Sequence, residues 1–335
     1  MKKGSKRLAT TSGIIISVVF LYLAFRDLKA EQLWDSLRAV NIQLLLLAVP
    51  TYFIALSVIA LRWQYLLRAV RLIPLRSLAE LVAICYMGNG LYPLRAGEAL
   101  RIYLLRRNHD VPLASATATV MVERAFDGVV MLCFILFSLL FIEIQSAEVG
   151  AILSIATPLF VGAVMVFFLL AAKPALLRSL VGSVSRILPD RLATLINQVG
   201  DDMTAGLAGL RTPTLLLGAV ISSYVTWAIE AAVYWIVMFA FGLELSFTVA
   251  LLVIGAVNLA GVVSAAPGQV GVYEFVVSTI LIALGTSAAT AASYAVVVHL
   301  VIWAPATFVG FLLLLRQGMG FADIRRAREL EQALS

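Results

Sequence analysis

The chain has 335 residues, of which 62% are hydrophobic and only 13% are charged, and its net charge at pH 7 is +6. Soluble domains carry about 25% charged residues, so this composition excludes an ordinary soluble protein and indicates a protein that crosses a membrane several times. The basic residues lie beside apolar runs, which is typical of membrane topology and of contact with anionic lipid headgroups. The positive charge therefore does not indicate nucleic-acid binding.

The first half of the chain, residues 8–148, is predicted to hold three membrane spans. Residues 8–25, 42–61 and 112–142 are apolar and long enough to cross a hydrocarbon core of about 30 Å. Basic residues precede the first span, and a strongly basic loop that begins at Arg62 follows the second. Because positively charged loops stay in the cytoplasm, we expect the N-terminus and this loop on the cytoplasmic side.

Residues 78–107, between the second and third spans, are predicted to form a re-entrant helical hairpin. The segment begins apolar and is then broken at Gly90, Pro93 and Gly97, residues that do not suit a long regular helix. Its second arm carries several charges and is too short to cross the membrane alone. Irregular backbone at membrane depth is tolerated only where protein or water covers it, so we expect the turn to lie against other spans.

The second half, residues 149–318, is predicted to repeat this order. Its predicted elements are a span at 152–172, amphipathic helices on the cytoplasmic face at 175–210, a span at 215–241, a second broken hairpin at 247–284 and a span at 291–315. A cytoplasmic tail follows at 319–335. The turn of the second hairpin is predicted at Pro267, Gly268 and Gly271, and this hairpin either is re-entrant or crosses the membrane twice.

The two halves have a weak similarity in sequence and, by the predicted topology, lie in opposite orientations. Residues 115–123 align with residues 291–299, and the turn at 94–97 aligns with the turn at 265–268. Inverted repeats with paired, broken segments indicate a transporter whose site lies at the repeat interface. We therefore predict an all-α polytopic membrane protein with about six transmembrane spans and two re-entrant hairpins. The chain, 1–335, forms a single transmembrane domain in which the hairpin tips meet near the midplane.

Three arginines, Arg95, Arg101 and Arg124, are the predicted ligands of a headgroup phosphate. The planar guanidinium suits a phosphate or a carboxylate. A charged side chain at the bilayer centre costs about 2.5–3.5 kcal/mol even on the lenient insertion scale, so these groups must pair with one another or line a wet cavity. A closed ion-pair network that only holds the hairpin to the next span is the structural alternative.

Seven further polar residues are predicted to support the phosphate ligands or to carry protons: Glu98, Glu123, Asp127, Glu230, Gln269, Glu274 and His299. Glu98 and Arg101 are spaced i,i+3 and are expected to form a pair if their arm is helical. His299 is either a proton carrier or a hydrogen-bonded packing residue. No metal-ligand cluster is predicted. The tryptophans are expected to serve as interface anchors or in packing.

Three motifs resemble the transmembrane-region family of lysylphosphatidylglycerol synthases, also called flippase-like integral membrane proteins. They are LRAGEALRIY at 94–103, VERAFD at 122–127 and APGQVGVYE at 266–274, and the resemblance covers about residues 10–318. In its best-known members, the multiple peptide resistance factors, this region moves an aminoacylated phospholipid between leaflets, and a separate soluble domain makes that lipid. Since only a short tail follows residue 315, we expect a stand-alone member without the synthase domain.

The predicted function is a flippase that moves an anionic or modified (aminoacyl-, glyco- or polyprenyl-phosphate) lipid through a charged cavity between the hairpins. The alternatives are a membrane-embedded enzyme that acts on a lipid-linked phosphate or sugar, and a non-transporting scaffold of a lipid-modifying synthase. We expect no enzymatic activity and no cofactor, because no phosphate-binding P-loop or nucleophile–base pair is present. The expected partners are membrane lipids and a separate synthase or glycosyltransferase. The expected location is the plasma (inner) membrane of a prokaryote, with both termini cytoplasmic.

Overall fold

The computed structural model describes residues 17–26, 30–93, 95–142, 173–185, 207–263 and 266–318, together with isolated positions between 158 and 204. Over these residues the protein is helical and contains no strand, which confirms the all-α prediction. The predicted spans at 8–25 and 152–172 and the amphipathic segment at 175–210 are described only in part, and the tail at 319–335 lies outside the described residues.

The helices follow the predicted order closely. In chain order they are α1 (Ala30–Arg38), α2 (Ile42–Leu67), α3 (Leu75–Leu91), α4 (Ala96–His109), α5 (Leu113–Ser138), α6 (Pro174–Ser185), α7 (Pro213–Ala240), α8 (Phe247–Val263), α9 (Val272–Ala283) and α10 (Ala288–Arg316). Short 3₁₀ turns lie at Ala208–Arg211 and Pro267–Gln269, and residues 17–25 are also helical.

Three of the described helices are long and apolar enough to cross a membrane. They are α2, α7 and α10, with 26, 28 and 29 residues and mean hydropathies of 2.4, 1.6 and 2.2. Helix α5 has the same length as α2, but Glu123, Arg124 and Asp127 interrupt its apolar character near the middle. A membrane protein is thus confirmed, while the number of spans and their orientation stay predictions.

Two glycines and one asparagine bring the arms of the first hairpin, α3 and α4, into close contact beside the turn. A Cβ on Gly97 would lie 1.9 Å from the carbonyl oxygen of Cys85, and a Cβ on Gly88 would lie 2.6 Å from the Cα of Gly97. The two backbones are therefore so close that only glycine fits between them. The backbone N–H of Gly97 donates to Oδ1 of Asn89 at 3.0 Å, which gives this N–H at the start of α4 an acceptor.

The two halves interlock, because each hairpin packs against the other half. Helix α3 of the first hairpin lies along α10, and α8 of the second hairpin lies along α5. Helices α2 and α7, which correspond to each other in the predicted repeat, also pack against each other. This exchange is the one that the predicted repeat requires; the repeat itself and the opposite orientation of its halves in a membrane stay predictions.

The tips of the two hairpins meet, as predicted. A Cβ on Gly268 would lie 3.3 Å from the carbonyl oxygen of Gly90 and 3.3 Å from Nε1 of Trp303 on α10. Gly268 has a positive φ of 58°, a conformation that glycine adopts without strain. The break in the second hairpin thus brings its backbone directly against the first hairpin.

Candidate functional site

A cavity of about 140 Å³ lies at the meeting point of the hairpin tips, and both halves contribute to its wall. Seven of the ten charged or polar residues predicted for the site border it: Arg95, Glu98, Arg101, Arg124, Glu230, Gln269 and His299. The other three are each bonded to one of these seven. The sequence therefore identified a set of residues that the fold brings together from distant parts of the chain.

A fully buried ion-pair network lies behind the first hairpin. Glu123 accepts hydrogen bonds from Nη2 of Arg101 at 2.7 Å and from Nη2 of Arg62 at 3.0 Å. Arg62 also donates to Oδ1 of Asp127 at 2.5 Å. The side chains of Arg62 and Arg101 are 0% and 1% exposed, and the Arg101 guanidinium lies over the ring of Trp63, 4.3 Å from its centre. This network joins α2, α4 and α5.

The prediction that Arg62 begins a cytoplasmic loop is wrong. Helix α2 continues to Leu67, so that Arg62 lies in the helix and points to the carboxylates of α5. Glu123 and Asp127 lie one turn apart on α5, and both carboxylates must find a cation if they are buried. A count of charges on α5 gives one arginine for two carboxylates, and this excess was the available signal.

The predicted pair of Glu98 and Arg101 does not form either. Arg101 pairs with Glu123, while Glu98 lies 3.8 Å from Nη1 of Arg95 and 3.5 Å from Nη1 of Arg124. The spacing along the helix was compatible with the pair. A fully buried carboxylate on the neighbouring helix has more to gain from Arg101 than the partly exposed Glu98 has.

Arg95 and Arg124 face the cavity, and both have N–H donors that can bind a ligand. Their side chains are 29% and 32% exposed, unlike those of the buried arginines. Nη2 of Arg124 is held by Asp127 at 2.9 Å, but both contacts to Glu98 are long, and Nε of Arg124 has no hydrogen-bond partner among the described residues. Carboxylates therefore orient these two guanidinium groups but leave N–H donors available to a ligand.

A residue in the left-handed conformation stands at each hairpin tip. Arg95 has φ 52° and Gln269 has φ 59°, values that are uncommon for residues other than glycine. Both side chains border the cavity. Backbone strain of this kind costs of order 1–3 kcal/mol and tends to occur at functional sites, so each tip is held in a shape that presents a polar side chain to the cavity.

The second hairpin is attached to α10 through Glu274 and His299. Oε1 of Glu274 lies 2.5 Å from Nδ1 of His299, and its Oε2 accepts from the backbone N–H of Gly271 at 2.6 Å. The ring of Tyr273 stacks on the imidazole with 4.1 Å between ring centres. Glu274 thus caps the start of α9 and links it to the next span.

Aromatic residues contribute more to the site than the sequence indicated. Trp227 donates from Nε1 to Oδ1 of Asp127 at 2.7 Å. Trp303 borders the cavity, and its Nε1 has no hydrogen-bond partner among the described residues. Tyr52, Tyr86 and Tyr234 also line the wall. Their sequence surroundings are ordinary apolar helix, so no local signal marked them.

Comparison with known proteins gives a consistent result. The profile described as "Lysylphosphatidylglycerol synthase TM region" matches residues 11–310. The chain is 23% identical to "Glycosyltransferase AglD" of Haloferax volcanii over 91% of this chain but only 54% of that protein, so it spans about half of this relative. It is 23% identical to a UPF0104 membrane protein of Pyrococcus horikoshii, over 90% of this chain and 95% of that protein. A UPF0104 membrane protein of Methanothermobacter thermautotrophicus is 24% identical, over 86% and 89%.

Proposed function

We propose that this chain, which belongs to the family of the lysylphosphatidylglycerol synthase TM region, moves an anionic or modified lipid between the leaflets of its membrane. The carrying observation is a cavity lined by charged and aromatic residues at the point where the two hairpin tips meet. In transporters built from internal repeats, the substrate site lies at the repeat interface and is formed by discontinuous helices. The position of the cavity between the two interrupted hairpins supports the same assignment for this chain.

In this proposal Arg95 and Arg124 bind the phosphate of the headgroup. They face the cavity, retain free donors and are oriented by Glu98 and Asp127. Arg101 was predicted for the same role and borders the same cavity, but its bonds to Glu123 and its stacking on Trp63 favour a positioning role. Charge-assisted hydrogen bonds from arginine suit phosphate oxygens in position and strength.

The size of the cavity favours a mechanism in which only the headgroup of the lipid enters it. Pockets that enclose a whole drug-sized ligand measure about 300–1,000 Å³, whereas this cavity measures about 140 Å³. A phosphate group and a small substituent fit such a volume, and the acyl chains stay in the bilayer. The contact between Gly90 and Gly268 then acts as the barrier that opens to one leaflet at a time.

The test is leaflet exchange of fluorescent phosphatidylglycerol in vesicles that contain the purified protein. Arg95→Gln and Arg124→Gln should each slow exchange by about tenfold or more, because a hydrogen bond to a charged group contributes about 1.5–3 kcal/mol and 1.4 kcal/mol is a factor of ten. Arg76→Gln is the matched control, since the side chain of Arg76 is 79% exposed and forms a surface pair with Glu80. Folded variants that exchange lipid at the wild-type rate would contradict the proposal.

An enzyme that acts on a lipid-linked phosphate or sugar is the second candidate. It is favoured by the name of one relative, a glycosyltransferase, and by the Glu274–His299 pair, which has the geometry of an acid–base couple. Incubation of the purified chain with a polyprenyl phosphate and a nucleotide sugar separates the two functions. A modified lipid detected by mass spectrometry favours the enzyme, and movement of unmodified lipid favours transport.

A further inference from the structure

Glu230 on α7 differs from the other buried carboxylates of the described residues. Glu123, Asp127 and Glu274 each form a short bond to an arginine or a histidine. Glu230 is 6% exposed and borders the cavity, yet none of the ion pairs found among the described residues includes it, and its Oε2 has no hydrogen-bond partner there. An unpartnered carboxyl group therefore faces the site.

The groups around Glu230 are mostly neutral. Tyrosines from four helices lie within electrostatic range of its carboxyl: Tyr52 on α2, Tyr86 on α3, Tyr234 on α7 and Tyr273 on α9. The charged groups within range are Arg124 and Asp127 on α5, which are already paired with each other. His299 on α10 also borders the cavity but is bonded to Glu274.

Burial of an ionised carboxylate without a partner is far more costly than burial of the neutral acid. An ionised Glu230 therefore requires a cation as its partner, and the smallest cation that fits the site is a proton. We propose that Glu230 is a proton-binding site of the cavity and that it takes up its proton together with the anionic headgroup. This inference rests on the proposed function, because it names what accompanies the lipid.

The coupling follows from the charges in the cavity. A phosphate bound at Arg95 and Arg124 brings a negative charge close to Glu230, so the carboxylate gains a proton and becomes a carboxylic acid. The reverse also holds, since a coupling between two binding sites is reciprocal: a neutral Glu230 no longer repels the phosphate. One proton then compensates one negative charge of the headgroup, and a proton gradient can drive the lipid across the membrane.

The first experiment tests the proton site without any lipid. Infrared spectra of the purified protein, recorded over a series of falling pH values, should gain the carbonyl band of a protonated carboxyl group, and this band should be absent from Glu230→Gln throughout the series. Glu244→Gln, which changes an exposed carboxylate after α7, is the matched control and should retain it. If Glu230→Gln does not fold, Glu230→Asp keeps the carboxyl and should shift the band.

Two infrared outcomes overturn the proton site. The first is a spectrum in which wild type and Glu230→Gln carry the same band. The second is a band that disappears when sodium replaces choline in the buffer, because the carboxylate then holds a metal cation in place of a proton. Both outcomes are independent of the lipid, and they therefore leave the proposed transport function untouched.

The second experiment tests the coupling. Short-chain phosphatidylglycerol is added to the protein in weakly buffered detergent solution, at a pH at which the infrared band of wild type is absent, and proton uptake is followed with a pH-sensitive dye. Wild type and Glu244→Gln should each bind at most one proton per lipid bound, and Glu230→Gln should bind the lipid without proton uptake. Uptake by Glu230→Gln equal to that of wild type, or lipid binding by wild type without uptake, overturns the coupling. A wild-type protein that binds no phosphatidylglycerol overturns the proposed lipid and its coupling, while the infrared band still decides the proton site.

Discussion

The two hairpins are attached to the following helix by pairs of opposite arrangement. In the first hairpin the basic residue, Arg101, is on the arm and the carboxylate, Glu123, is on the following helix. In the second hairpin the carboxylate, Glu274, is on the arm and the imidazole of His299 is on the following helix. The sequence alignment of the two halves places Glu123 and His299 at the same position of the repeat.

The two attachments differ in the number of their bonds. In the first hairpin Glu123 binds two arginines, Arg101 and Arg62, and arginine stays charged at every pH that a protein encounters. In the second hairpin the described residues give Glu274 one side-chain partner, His299. We expect the second hairpin to be the part that moves.

The largest expected effect is a loss of stability when the ion-pair network of the first hairpin is broken. Arg62→Leu removes one of the two arginines that bind Glu123 and one of the two that bind Asp127, and breaking a buried pair from one side costs about 3–5 kcal/mol. We expect a large fall in the thermal unfolding temperature measured in detergent. Arg68→Leu, an exposed arginine just beyond the end of α2, is the control and should unfold close to the wild-type temperature. A small effect of Arg62→Leu would show that the first hairpin does not depend on this network.

The glycines of the two turns should respond differently to alanine. Gly97→Ala places a Cβ 1.9 Å from a backbone oxygen, and such overpacking costs about 1–3 kcal/mol or more. Gly268→Ala meets its nearest neighbours at 3.3 Å and also requires a left-handed alanine, which costs about 1–2 kcal/mol. Thermal unfolding should therefore rank Gly97→Ala as the more harmful change.

Gly242→Ala separates backbone strain from contact between the tips. Gly242 has φ +68°, close to that of Gly268, but its Cβ would meet open space. Gly242→Ala and Gly268→Ala should lose similar stability, while only Gly268→Ala should alter lipid exchange in vesicles. Equal exchange in the two variants would show that the Gly90–Gly268 contact is no barrier.

A smaller effect should appear in the coupling between the paired side chains. Double-mutant cycles on bonded pairs give interaction energies of about 0.5–3 kcal/mol. We expect the cycle through Arg101→Gln and Glu123→Gln to give the larger energy, since this pair is an ion pair with both side chains fully buried. The cycle through Glu274→Gln and His299→Gln should give the smaller energy. Equal energies would remove the contrast.

The smallest effect concerns the other histidine, at the end of the first hairpin. Partial burial and the neighbouring Arg71 hold the pKa of His109 below its ordinary value. Its folded form therefore binds a proton less readily than the unfolded chain does, and stability should rise slightly with pH in the range below about 6.5. NMR titration of the imidazole should show the lowered pKa, and Arg71→Gln should raise it. An unchanged value in the variant would assign the shift to burial alone.

The sequence predicted the breaks of both hairpins because glycine and proline have strong and local effects on backbone. It also predicted most of the polar residues that border the cavity, because charged side chains in apolar segments must pair or line a wet cavity. The position of Arg62 was missed because an arginine at the end of an apolar run satisfies the rule for membrane topology equally well. The partner of Arg101 was missed because a buried carboxylate on another helix competes with a helical neighbour, and only the packing decides that competition. The tyrosines around Glu230 were missed because nothing in their own segments distinguishes residues that line the cavity from residues of the hydrophobic core.

The exchange of hairpins between the halves has a consequence for how the protein is made. Helix α3 packs on α10 and α8 packs on α5, so the first half cannot complete its own interior as it leaves the ribosome. The first hairpin can pack in its final position only after the last helix has been inserted. Until then its charged arm must be kept away from the lipid. Assembly is therefore a post-translational step of the whole chain, and the two halves expressed as separate polypeptides should each be unstable alone and recover by association.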